Sequence, residues 1–217
     1  MGGFTDGLNN HDFCEGLLAL VISHVRFCCD EMKNDCINKN EKLHNDEPRI
    51  TCRLVENHLN YNQLELMFIP ESLESYDHGE DHYAGRADIK VITRDNLGNR
   101  NKGYFLIECK RIDGYSDLNT KYVKEGVARF VVNPAKYPSH FNRNIMCGYV
   151  VQAINITRNA SIIERIQHKL LDDVVSGVFD LMEHYDSEYY LYSCKYKSEV
   201  GNIELRHIFY DFSSVVY

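Results

Sequence analysis

Two stretches decide how this chain is read: Gly85-Arg86-Ala87-Asp88-Ile89-Lys90-Val91-Ile92 and, shortly after, Tyr104-Phe105-Leu106-Ile107-Glu108-Cys109-Lys110-Arg111. Both are rich in β-branched, aliphatic and aromatic residues and read as strands, Ala87–Thr93 and Gly103–Lys110. The turn cluster Asp95-Asn96-Leu97-Gly98-Asn99 between them predicts a β-hairpin with a long tip. Asp88 and Glu108 then stand on neighbouring strands, and Lys110, two places past Glu108, points to the same strand face. Charged groups that end apolar strands are costly without a purpose. Two hard carboxylates beside a lysine form a site for Mg²⁺ and a phosphodiester, where the ion polarises the phosphate and acidifies its bound water.

The flanking sequence builds outward from this pair. Asp46-Glu47-Pro48 opens a helix, since Pro suits the first turn and acidic residues suit the N-terminal dipole. Ile50, Leu54, Val55 and His58 or Leu59 give that helix its buried stripe. Gln63–Ile69 reads as a strand stopped by Pro70, and 71–84 as an acidic flexible loop. After the lysine strand comes a helix from about Leu118 to Val131, with Tyr122, Val127 and Phe130 facing inward, and then a loop at 133–143. Ile145–Ile154 is nearly all apolar, as a strand covered on both faces would be. Asn159 to about His184 reads as one long amphipathic helix, and Tyr189–Tyr196 with Ile203–Phe212 as a closing hairpin. At the other end, Asp12 caps a helix over Phe13–Phe27, and 33–46 reads as a loop or frayed helix end. Without an internal repeat or linker, residues 1–217 form one domain.

Composition narrows the function. At 217 residues and 44% hydrophobic the chain suits a globular fold. A net charge of −8 argues against a simple nucleic-acid binder, whose affinity comes mainly from Lys and Arg. Either Lys121, Lys124, Arg129, Lys136, Arg143 and Arg158 share a face, or a partner supplies the grip. No apolar run approaches the roughly 18 residues a bilayer needs, and the start lacks a basic signal-peptide region, so a cytoplasmic protein without membrane contact is expected. The eight cysteines contain no Cys-x-x-Cys pair and read as reduced, apolar thiols. Cys28, Cys29 and Cys36 with His44 are the alternative, a zinc or thiol sensor.

Asp88 with Glu108-x-Lys110 resembles the PD-(D/E)xK nuclease superfamily, the restriction-endonuclease-like fold. The resemblance implies an α/β architecture: an α-β-β-β-α-β core over 46–154 and a mixed sheet flanked by helices. An extra N-terminal helix (1–45) and a C-terminal helix plus β-hairpin (155–217) would be added to it. It further implies that Asp88 and Glu108 hold Mg²⁺, with Mn²⁺ as a substitute, while Lys110 places or activates the water. Many members complete the metal shell with a helix glutamate; Glu47 matches best, with Glu56 and Glu71 as competitors. Ala87 stands where the family has Pro.

Tyr122-Val123-Lys124-Glu125-Gly126-Val127-Ala128-Arg129-Phe130 and Met146-Cys147-Gly148-Tyr149-Val150 resemble a branch found in bacterial restriction and anti-phage proteins. On that resemblance Arg129 reaches a phosphate, Tyr122 orients the lysine, and Lys124 joins them as a nucleic-acid contact. Core packing is the plainer role for Tyr122 and Phe130. Gly126 costs a helix about 1 kcal/mol relative to Ala, which a close approach to the sheet or to DNA accounts for. Gln152 is a further candidate to face the site, and His207 reads as structural. His78 and His82, beside Asp77, Glu80 and Asp81, read as a solvated loop before a metal site. The expected protein is a Mg²⁺-dependent deoxyribonuclease of an antiviral system, working with a helicase, an ATPase or another defence subunit. The rival is a noncatalytic docking or regulatory subunit on the same fold.

Overall fold

The computed structural model describes residues 6–79, 81–93, 103–137, 141–198 and 201–217. Helix α1 (Asp6–Lys39) leads to α2 (Glu47–Leu54), which runs on as a π turn over Val55–Leu59. Strands β1 (Leu66–Asp77), β2 (His82–Thr93) and β3 (Tyr104–Ile112) follow. Then come α3 (Ser116–Lys121), a π turn (Tyr122–Val127) and α4 (Ala128–Val131), which together make one helical segment. Strand β4 (Arg143–Val150), α5 (Ile156–Leu170) and strands β5 (Asp180–Tyr185), β6 (Tyr189–Ser198) and β7 (Gly201–Asp211) complete the chain. All seven strands form one mixed sheet in the order β1-β2-β3-β4-β7-β6-β5. β1–β2 and β2–β3 pair antiparallel, while β3–β4 and β4–β7 pair parallel.

Strand alternation sorts the core into two layers. Phe105, Ile107 and Cys109 of β3, with Ile145, Cys147 and Tyr149 of β4, face α1 and α2. Tyr104, Leu106 and Ile112, with Met146 and Val150, face the α3–α4 segment and α5. β3 and β4 are covered on both sides, which is why both read as nearly unbroken apolar runs. Asp46 is the N-cap of α2: its side chain accepts from the Arg49 amide, and Pro48 lies in the first turn.

Three expected boundaries are corrected. Helix α1 does not end near Phe27, and Asp12 lies inside it rather than capping it. Cys28, Cys29, Met32 and Cys36 continue the buried stripe of Leu18, Val21, Ile22 and Val25 at helical spacing, so tertiary packing carries the helix through a polar-looking segment. Lys33 is accommodated by reaching the Asp211 carbonyl at 2.9 Å. Next, β1 does not stop at Pro70. It is an edge strand, where a missing N–H is tolerated, and most of the expected loop 71–84 is a two-stranded ribbon with β2.

The third correction is α5, which ends at Leu170. Ser176 N–H donates to the Lys195 carbonyl, and Lys197 N–H donates to the Val174 carbonyl, so this valine-rich segment runs alongside β6 before β5 begins. The closing hairpin forms as expected, β6 pairing antiparallel with β7, and β7 also pairs parallel with β4 and so joins the main sheet. The expected turn at 95–99 lies outside the described residues.

Candidate active site

The site forms where β2 and β3 part. Their pairing runs from Ile92–Tyr104 to Ile89–Ile107. Just beyond, the Cys109 amide donates to Asp88 Oδ2 at 2.7 Å, so a side chain takes the place of a ladder partner. This splay turns Asp88 and Glu108 toward one point, on the face covered by the α3–α4 segment.

Lys110 Nζ occupies that point. It lies 2.7 Å from Glu108 Oε1, 2.9 Å from Glu47 Oε1, 2.7 Å from the Cys109 carbonyl and 3.7 Å from Asp88 Oδ2. Glu47 arrives from the first turn of α2, and its Oε2 accepts from the Arg111 amide at 3.1 Å. Glu108 has no solvent exposure. Besides Lys110, its Oε1 accepts from Arg129 Nη1 at 2.7 Å and its Oε2 from the Tyr137 hydroxyl at 2.9 Å. Burial, then the charge of Asp88, pushes the Glu108 carboxyl up to about 7, against the pull of Lys110 and Arg129. Burial alone would lower Lys110, but Glu108, Asp88 and Glu47 outweigh it and hold the ammonium charged.

A cleft of about 880 Å³ opens above the cluster. Glu47, Arg49, Thr51 and Cys52 of α2 line one side, and Glu71, Leu73, Tyr83, Gly85 and Arg86 of the ribbon line another. Asp88, Lys110, Glu125, Arg129 and Lys136 also line it. The root of the ribbon is pinned beneath by a buried group. Glu74 accepts from Tyr104 at 2.7 Å and lies 3.2 Å from Lys90 Nζ, which sits 3.6 Å from the Tyr104 ring centroid.

Glu47, Asp88, Glu108, Lys110 and Arg129 are thus brought together. Arg129 is already tied to Glu108 and Tyr137, although its side chain remains 32% exposed toward the cleft. Glu71 lies on the ribbon wall, 3.6 Å from Arg86. Glu56 is exposed on the π turn after α2 and does not line the cleft.

Other expected contacts are corrected. Tyr122 is fully buried, bonds His207 Nδ1 at 2.9 Å and stacks on Phe209, so it offers no surface to a nucleic acid and does not reach Lys110. Lys124 and Gln152 are exposed but do not line the cleft. Of the six basic residues considered for a shared face, Lys136 and Arg129 line the cleft, and Arg143 pairs with Glu15 and Glu204. Cys28, Cys29 and Cys36 are free thiols buried on α1, and His44 packs against Tyr217 instead. Burial pushes Cys28 up to about 12, which keeps it a protonated, unreactive thiol. His78 packs edge-on against Tyr76; Glu80 lies outside the described residues.

The sequence reading missed Tyr137, a lone tyrosine in a segment marked only by its prolines. Gly126 does mark a close approach, to the sheet: a Cβ there would lie 2.5 Å from Met146 Cε and 3.5 Å from Lys110 Cγ.

Among the described residues, no group of three or more His, Cys, Asp or Glu side chains is arranged to hold a metal as it stands. The cation at the centre of this oxygen set is the ammonium itself. The donors are nonetheless hard oxygens, three carboxylates and a carbonyl converging on one positive charge, and that chemistry fits Mg²⁺.

Fold and site define an α/β protein with a seven-stranded mixed sheet between helices and a carboxylate–lysine cluster where two strands part. No protein-family model, curated protein or solved structure matches the chain.

Proposed function

We propose that this protein is a Mg²⁺-dependent nuclease that hydrolyses DNA phosphodiester bonds. The observation that carries the proposal is the gathering of Glu47, Asp88 and Glu108 around one cationic centre on the wall of an open cleft. The order α2-β1-β2-β3-α3-α4-β4, with β4 parallel to β3, supports the restriction-endonuclease-like reading.

Asp88, Glu108 and Glu47 would hold the ion, with the Cys109 carbonyl as a further oxygen. Bound Mg²⁺ supplies positive charge to the scissile phosphate and acidifies its water. Lys110, whose Nζ lies among the carboxylates and which lines the cleft, would orient the attacking water and offset phosphate charge. Arg49, Arg86 and Lys136 line the cleft as cations for the flanking backbone. Three such cations in the cleft of a chain with a net charge of −8 leave much of the DNA grip to a partner, for which a helicase, an ATPase or another subunit of an antiviral system is suited.

Asp88→Asn tests the proposal. Asn keeps an acceptor for the Cys109 amide and removes the charge. Cleavage of plasmid DNA in Mg²⁺ should fall by about a hundredfold or more, while the unfolding midpoint stays close to that of the wild type. Lys110→Ala should likewise abolish cleavage. Full activity in both variants rejects the site.

A further inference from the structure

We infer that Tyr137 is a positioning residue for Glu108 and that Gly85 provides its seat; the inference rests on the nuclease reading above. Tyr137 lies beyond the end of α4, yet its ring is buried and its hydroxyl sits at the heart of the cluster. That hydroxyl is 2.9 Å from Glu108 Oε2, 2.6 Å from Arg129 Nη1 and 2.5 Å from the Arg86 carbonyl. Arg129 can only donate, so the hydroxyl accepts from it and directs its own proton to Glu108 or to the Arg86 carbonyl. One oxygen thereby joins β3, α4 and the strand that carries Asp88. The hydroxyl thus stands beside Glu108 Oε2, while Oε1 accepts from both Lys110 and Arg129.

Gly85 makes this fit possible. It is absent from the residues with positive φ, so its backbone does not itself demand glycine. Space does. A Cβ at 85 would lie 2.7 Å from Tyr137 Cε1, 3.0 Å from Cδ1 and 3.1 Å from the Lys136 carbonyl oxygen. A rigid ring and a backbone oxygen do not yield as the end of a flexible side chain does. Phe130 holds the ring from another direction, edge-on at 5.1 Å between centroids. An alanine at 85 would therefore push the hydroxyl off Glu108 without touching Glu108 itself.

The test is Mn²⁺ affinity, read from the paramagnetic resonance of free Mn²⁺. It compares wild type, Tyr137→Phe, Gly85→Ala and the double variant, with thermal unfolding in parallel. Tyr137→Phe keeps the ring and removes only the oxygen, so its unfolding midpoint should stay within a few degrees. Each single variant should bind Mn²⁺ about tenfold more weakly, as loss of a group that orients a ligand does. The double variant should be no worse than the weaker single, because both changes act through one hydroxyl. Wild-type affinity in Tyr137→Phe overturns the positioning role and leaves the nuclease reading standing. Additive losses in the double variant overturn the seating role of Gly85. Folded wild-type protein that binds no Mn²⁺ removes the nuclease reading, and this inference with it.

Discussion

A carboxylate without solvent exposure cannot stay charged alone, and Glu108 keeps company with Lys110, Arg129 and Tyr137. His207 meets the opposite fate. It is fully buried, bonded to the hydroxyls of Tyr122 at 2.9 Å and Tyr196 at 3.2 Å, with the Phe179 ring 4.5 Å away. Burial lowers it from 6.5 to about 3, so it stays neutral in the folded protein. Below pH 6.5 the unfolded chain takes up a proton that the folded chain refuses. Stability therefore falls through this residue as pH drops below 6.5 toward 3, and its contribution is fully present above 6.5. Urea unfolding of His207→Gln across that window should show a shallower acid loss than wild type; identical curves would contradict this. At this scale the sequence was most legible where chemistry and pattern coincide. Asp88, Glu108 and Lys110 interrupt apolar strands, and Glu47 follows a helix cap, so each stood out. Tyr137 did not, because a lone tyrosine in a loop carries no spacing that ties it to a strand twenty-odd residues away. Tyr122 misled for the converse reason: an aromatic on an inner helix face looks alike whether it meets a site or a core.

Elements were legible where local pattern and tertiary packing agree. β3 and the helix opened by Asp46 and Pro48 follow their local signals closely. The ribbon of β1 and β2 did not, since its acidic, exposed residues lack the alternation of a half-buried strand and are held by cross-strand pairing and the buried Glu74–Lys90–Tyr104 group. Segment 171–185 had the periodicity of a helix, yet its valines run beside β6. The junction of β4 and β7 offers a test at this scale. Gly148 lies opposite Phe209, and a Cβ there would meet the Phe209 ring at 2.6 Å and Ile112 Cγ1 at 3.3 Å. Gly148→Ala should destabilise the fold by about 1–3 kcal/mol in denaturant unfolding, the usual effect of overpacking a closed core. An unchanged midpoint would mean that β4 and β7 pack less closely than described.

The whole molecule is one sheet with helices on both faces, and no helix among the described residues is long and apolar enough to cross a membrane. Its seven-strand order was not legible, because nothing local to 201–211 says that β7 pairs with β4 rather than standing apart. From that pairing the C-terminal third is expected to be needed for folding. A chain ending at residue 155 would expose the β4 edge and one side of both cores, and it should show no cooperative unfolding by circular dichroism; a sharp transition would contradict this. The central claim is that Asp88 and Glu108 share a site for a divalent ion. Crystals soaked in Mn²⁺ test it most directly through their anomalous scattering. A strong peak is expected between the Asp88 and Glu108 carboxylates. An ordered site without that peak, or a peak only elsewhere on the protein, would contradict it.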